Sequence, residues 1–134
     1  MRAAPPVRAA RAARRRAYAP YSGFRVGAAV RAGGRVHAGA NVENASYGLT
    51  VCAERNAVAA AALAGARRLE ALAVASGTRP PSPPCGACLQ VLAEFAGPDL
   101  PVALAGAGRR VVLTTLGALL PRGFTRRHLG ARRR

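Results

Sequence analysis

All three cysteines of the chain fall in two short runs, Cys52-Ala53-Glu54 and Pro84-Cys85-Gly86-Ala87-Cys88. Each run opens a stretch that reads as a helix. Val51 to Ala64 is Ala-rich and uninterrupted, with Thr50 as the expected N-cap and Gly65 as the stop. Cys85 to Ala96 is closed by Gly97-Pro98. A fold that aims these two helix starts at one point gathers three thiols there. The free N–H groups and positive dipole end of a helix start favour the thiolate. An odd number of cysteines cannot all pair within one chain, so reduced, metal-binding thiols fit better than disulfides. A catalytic zinc takes three protein ligands and keeps its fourth position for water. A closed structural site needs a fourth ligand, and only His37 or His128 could supply it, neither at suitable local spacing. The expected arrangement is one zinc per chain on Cys52, Cys85 and Cys88.

Glu54 stands two residues past Cys52. Residues at i and i+2 lie on opposite sides of a helix body, so both serve one site only if that site sits off the helix end. An acid here also stabilises a helix start. In a chain with only five acids, the stronger reading is a proton shuttle that takes a proton from an activated water and returns it to the substrate.

The remaining sequence sets these helices in an α/β frame. Residues 7–17 read as a helix, with Ala10, Ala13 and Ala17 at helical spacing. Phe24 to Val30 alternates as a strand, Ala32-Gly33-Gly34 signals a tight hairpin, and Arg35 to Asn41 returns. After the polar stretch 41–50 and the first cysteine helix, Leu69 to Ala75 reads as a buried strand, and the proline-rich Ser76–Pro84 as a loop. Val102–Ala105 and Val111–Thr114 supply two further strands, Leu116–Leu120 a short helix, and the tail beyond Pro121 gives no clear pattern. The order α-β-β-α-β-α-β-β argues a mixed sheet of about five strands with helices on both faces. At 134 residues the expectation is a single domain over 1–134, with 1–6 and 129–134 as flexible ends.

The charge is lopsided. Twenty-one basic residues, all arginine, face five acids for a net +16. Nucleic-acid binding is one interpretation; a biased composition that fills solvated positions with arginine is the other. The clusters Arg8–Arg16, Arg126–Arg127 and Arg132–Arg134 sit near the ends, where charge has least effect on a fold. Aromatic residues are only 4% of the chain, too few for a base-stacking surface. The expectation is therefore no specific nucleic-acid partner. No apolar run approaches the roughly 18 residues of a membrane span, and Met1–Arg16 lacks the apolar core of a secretory signal. It faintly resembles a transit peptide but runs straight into domain-like sequence at Tyr18. A cytoplasmic protein with no membrane partner is expected.

Four stretches together resemble the small, homotetrameric cytidine deaminases. They are Arg16-Ala17-Tyr18-Ala19-Pro20-Tyr21-Ser22-Gly23-Phe24-Arg25-Val26-Gly27-Ala28, Gly39-Ala40-Asn41-Val42-Glu43-Asn44-Ala45-Ser46-Tyr47-Gly48, Cys52-Ala53-Glu54-Arg55, and Pro84-Cys85-Gly86-Ala87-Cys88. Three cysteine ligands with a non-ligand glutamate are a known zinc-deaminase pattern, and cysteine at the first ligand points to the branch acting on free nucleosides. The resemblance implies a three-layer α/β/α sandwich. It implies hydrolytic deamination of cytidine and 2′-deoxycytidine to the uridines, in pyrimidine salvage, by a zinc-dependent homo-oligomer, a tetramer. By the same resemblance Glu54 is catalytic, Asn41 and Glu43 bind the ribose, and Phe24 packs on the pyrimidine. The backbone of Ala53 contacts the base, Tyr47 and Phe124 reach a site across a subunit boundary, and Arg55 offsets the negative thiolate cluster. Without the resemblance, Phe24 reads equally well as a core position on the first strand.

One departure stands out. The family usually has Cys-Arg-Gln where this chain has Cys88-Leu89-Gln90, so one guanidinium beside the sulfurs is missing. Restoring it by Leu89→Arg is expected to be tolerated. Competing readings are a deaminase of a modified cytosine nucleoside such as an antibiotic, a nucleic-acid-editing or nucleic-acid-binding zinc protein, and a structural zinc module without turnover.

Overall fold

The structure, a computed structural model, describes residues 4–130. A five-stranded mixed sheet runs β2-β1-β3-β4-β5, formed by β1 (Gly27–Ala32), β2 (Arg35–Ala40), β3 (Ala71–Ala75), β4 (Pro101–Ala105) and β5 (Val111–Thr115). Only β3 and β4 are parallel. Their crossover carries α3 (Gly86–Phe95), as a parallel connection requires. β1 and β2 join through Gly33 and Gly34, at φ 59° and 76°. Two successive positive φ angles make the tight hairpin turn that matches strand twist, and glycine adopts them without a Cβ penalty.

The two faces of the sheet are packed differently. One carries the larger core, in which Val26, Val30, Leu72, Val74 and Val102 meet α2 (Ala53–Leu63), α3 and α4 (Leu116–Leu119). The other is almost wholly alanine: Ala29, Ala73, Ala75, Ala103 and Ala105 face α1 (Val7–Arg14) through Ala10. Alanine offers little bulk, so α1 lies close. A Cβ at Gly27 would collide with the α1 backbone at Ala10 and Arg14. Arginines add directional bonds to this thin layer. Arg11 donates to the carbonyls of Gly106 and Gly108, both at 3.1 Å, and Arg14 Nε donates to Arg25 O at 3.0 Å.

Several sequence expectations shift. The first helix ends at Arg14 rather than residue 17. The first strand begins at Gly27, so Phe24 lies outside it and is 46% exposed, which removes the reading of Phe24 as a core residue. Thr50 is not the α2 cap. Val51 is drawn into a bridge with Val42, which delays the helix and makes Cys52 the N-cap. Gly65 does end α2, at φ 99°, with Gly65 N–H donating to Ala62 O and Ala66 N–H to Ala61 O, a Schellman closure. The tail adds a short helix, α5 (Arg126–Gly130), that no sequence pattern announced. Of the ends expected to be flexible, residues 1–3 and 131–134 lie outside the described residues. Ala4 O accepts from Arg31 Nε, and Leu129 and Gly130 belong to α5.

Candidate metal and catalytic site

α2 and α3 begin side by side, and their starts bring the three cysteines together. Cys52 and Cys85 are the two N-caps, both in extended conformation, and Cys88 lies in the first turn of α3. The Sγ atoms all lie within 4.8 Å of one another, with Cys52–Cys85 at 3.9 Å and Cys85–Cys88 at 3.4 Å. Thiolates each about 2.3 Å from one tetrahedral zinc sit about 3.8 Å apart, so the donor set and its spacing fit a single zinc. Because Cys52 is a cap and not part of the helix body, its side chain escapes the i, i+2 divergence. Glu54, one residue inside α2, reaches the same place.

Exposure is graded across the site. Cys85 is exposed, Cys52 half-buried and Cys88 buried. Burial pushes the Cys88 thiol well above its ordinary value, and the Glu54 charge and the Cys85 thiol push it further. Burial acts in the same sense at Cys85. There it is outweighed by the N–H group and thiol of Cys88, the Cys52 thiol and the N–H of Ala87, so Cys85 falls below the ordinary thiol value. Glu54 is only 4% exposed. Its desolvation raises the carboxyl above the usual range against the opposing pull of its own N–H, the Arg55 charge and the Cys88 thiol. A carboxyl shifted toward neutrality is suited to both accept and donate a proton.

Arg55 lies beside the sulfurs. Its Nη2 donates to Cys52 Sγ at 3.5 Å and to Thr50 O at 3.3 Å. Among the described residues its buried Nε–H has no hydrogen-bond partner, and its charge interacts with the Cys52 and Cys88 sulfurs and with Glu54. Leu89 is a correction. It is 7% exposed and belongs to the main core, so an arginine there would displace packing before it reached the thiolates.

The segment 18–26 and the stretch 41–51 form a second structural unit. Asn41 is buried. Its Oδ1 accepts from Val26 N–H at 2.9 Å and its Nδ2 donates to Phe24 O at 2.7 Å. Glu43 Oε1 accepts from the N–H groups of Tyr21 and Ser22, and Oε2 from the Ser22 hydroxyl. The Ser22 hydroxyl contributes most to holding the Glu43 carboxyl below its ordinary value, with burial opposing and the two N–H groups helping. Both residues thus fix the loop that presents Phe24. Ala53, the first residue of α2, is fully buried. Tyr47 is 73% exposed and tilts against Tyr21. Phe124, also exposed, stacks on His128, and its carbonyl accepts from Gln90 Nε2.

Ser22 escaped notice in the sequence. Its Oγ also accepts from Phe24 N–H at 2.9 Å, linking Glu43 to Phe24. The signal was present: a serine ahead of Gly23 in a turn commonly bonds the backbone two residues on.

Three thiols converging from two helix starts, beside a buried carboxylate in an α/β/α sandwich, define a site for zinc-dependent deaminase chemistry. The family model of the cytidine and deoxycytidylate deaminase zinc-binding region matches residues 5–104. The cytidine deaminase of Sporosarcina psychrophila is 46% identical over 118 residues, 87% of each chain. That of Halalkalibacterium halodurans is 50% identical over 114 residues, 84% of this chain and 86% of its own. The crystal structure of cytidine deaminase from Burkholderia pseudomallei superimposes with a TM-score of 0.85 at 50% identity, over 88% of this chain and 95% of that one. The chain belongs to the cytidine and deoxycytidylate deaminase family.

Proposed function

We propose that this protein hydrolyses cytidine and 2′-deoxycytidine to uridine and 2′-deoxyuridine, releasing ammonia. The observation that carries the reading is the convergence of three Sγ atoms within 4.8 Å beside the buried Glu54. Cys52, Cys85 and Cys88 hold the zinc as thiolates, and the Arg55 guanidinium offsets part of their negative charge. Zinc, when bound, lowers the pKa of a water to about 7 and so supplies a nucleophile at neutral pH. Glu54 does the proton work: its carboxylate takes the proton of the attacking water and delivers it to ring nitrogen N3. It then takes the remaining proton from the oxygen added at C4 and passes it to the exocyclic nitrogen, as the C4 carbonyl forms and ammonia leaves. One water is consumed and one ammonia released, with no redox change.

Binding falls to the 18–26 and 41–51 unit. Asn41 keeps one N–H and one lone pair free of its loop bonds, and Glu43 has remaining acceptor capacity, so both are suited to ribose hydroxyls. Phe24, exposed at the loop end, packs on the pyrimidine, and the backbone of Ala53 orients the base. Tyr47 and Phe124 complete the site of a neighbouring subunit in a homotetramer. The exposure of Tyr18, Tyr21, Phe24, Val42, Tyr47 and Leu49 on adjoining segments supports such an assembly. A cytoplasmic setting follows from the need to keep three thiols reduced, and no helix among the described residues is long and apolar enough to cross a membrane.

The test is the ultraviolet change on adding cytidine to zinc-loaded protein, repeated after chelation and zinc restoration. Turnover that is lost with zinc and regained with it is expected; no turnover by the zinc-loaded protein refutes the reading. Light scattering tests the assembly, since a fully active sample with the mass of one chain excludes cross-subunit roles for Tyr47 and Phe124.

A further inference from the structure

Away from the cysteines, at the opposite end of α3, the fold forms an open cleft of about 510 Å³. Arg67 and Arg68 enter it from the α2–β3 connection, Arg122 from the segment after α4, and Arg126 and Arg127 from α5. Glu94 is the only carboxylate in its lining. Leu116, Leu120 and Pro98 give it an apolar floor. Arg67 Nη1 donates to the carbonyls of Ala62 and Ala66. The side chains of the other four make no hydrogen bond or ion pair among the described residues. These arginines contrast with Arg11, Arg14, Arg25 and Arg31, each of which is bonded to a backbone carbonyl elsewhere in the fold.

Three separated segments therefore line one concavity with five exposed arginines and a single acid, and the guanidinium of Arg67 is already bonded to two carbonyls. Like charges held together cost free energy unless something neutralises them, and a cleft with apolar walls focuses their field. Guanidinium groups match phosphate oxygens in a bidentate fork. The volume lies in the range of small-molecule sites. We propose that this cleft binds the phosphate chain of a small polyanion, either a nucleoside triphosphate or inorganic polyphosphate, at a site separate from the cysteines. The apolar floor can take the sugar or base of a nucleotide, and the arginines take its phosphates.

Calorimetry on the zinc-loaded full chain, with tripolyphosphate, ATP and adenosine in turn, tests this. A purine nucleotide keeps the measurement away from a pyrimidine-binding site. One polyanion per chain should bind, while adenosine alone should not. Arg68→Ala and Arg126→Ala should each weaken binding about tenfold, the loss of one charge-assisted bond. Arg8→Ala and Arg35→Ala remove the same charge from exposed positions outside the cleft and should change it by less than about twofold. ATP binding more tightly than tripolyphosphate assigns the site to nucleotides; equal affinity assigns it to the phosphate chain alone. No binding at about 50 mM salt overturns the proposal. So does equal weakening by the cleft and control variants, or a single-stranded oligonucleotide binding more tightly than ATP, which would place the charge in nucleic-acid contact.

Discussion

Gly39 is where packing and chemistry meet most tightly. It lies on β2 against the first turns of α2. A Cβ added there would sit 2.5 Å from Ala57 N, 2.8 Å from Ala53 O and 2.9 Å from Asn56 C, all backbone atoms of α2. Ordinary contact begins at 3.4 Å, so the deficit against Ala57 is 3.4 − 2.5, about 1 Å. No side chain can rotate away to make that room, so the strand or the helix must move. Overpacking of this kind costs about 1–3 kcal/mol. For a chain of this size that is about 4–12 °C in thermal midpoint. The α2 start also carries Glu54 and is capped by Cys52, and a 1 Å misplacement of reacting groups costs up to about 10²-fold in rate. Gly39→Ala should therefore lower both the midpoint and kcat/KM on cytidine, with zinc retained. Thermal unfolding, steady-state kinetics and metal analysis on one preparation decide it. An unchanged midpoint with unchanged kcat/KM would show that the sheet and α2 are not held as described.

Three further outcomes follow from the site. Glu54→Gln should keep zinc and fold but lose about 10²–10⁴-fold in turnover, the usual worth of a positioned acid–base group; near-normal turnover removes Glu54 from the proton path. Leu89→Arg should lose about the 1.5–3 kcal/mol that burying a leucine contributes, read in the unfolding midpoint; an unchanged midpoint with tighter zinc would show that the new guanidinium reaches the sulfurs. Glu43 has its carboxyl held below the unfolded value, so it stabilises the fold above pH of about 4.3 and loses that contribution as pH falls through its folded value. The stability gap between wild type and Glu43→Gln should accordingly be present at neutral pH and close in acid; a gap independent of pH would mean that the Ser22 and Tyr21 bonds do not depend on the charge.

Most of the site was legible because cysteine chemistry is sparse and specific. The two helices that begin at the cysteine runs and the Gly65 stop depend on local rules; the structure keeps all three but starts each helix after its first cysteine, which becomes the N-cap. Thr50 failed as a cap because capping preference is local while the Val42–Val51 bridge is not. Phe24 could not be placed from alternation alone. The strand period runs correctly through Val26, Ala28 and Val30, but Asn41, fifteen and seventeen residues away, holds the Val26 N–H and the Phe24 carbonyl. The arginines misled in another way. Their number suggested a solvated surface, yet several bond to carbonyls across the fold, and nothing in a run of Arg and Ala distinguishes those from the rest.

The alanine face beneath α1 has a thermodynamic consequence. Peeling a helix from a bulky core exposes much apolar surface, so that opening is suppressed and strongly sensitive to denaturant. Lifting α1 from Ala29, Ala73 and Ala103 uncovers mostly alanine, with Val7 and Val111 the larger side chains of that layer. Its resistance to opening then rests heavily on the bonds of Arg11 and Arg14 to their carbonyl partners. Such an opening has a small heat-capacity change and a shallow denaturant slope, and amide exchange in α1 should reveal it as a local fluctuation well below global unfolding. Because Arg14 grips Arg25 O, one residue past Phe24, each opening also releases the loop on which that ring is carried.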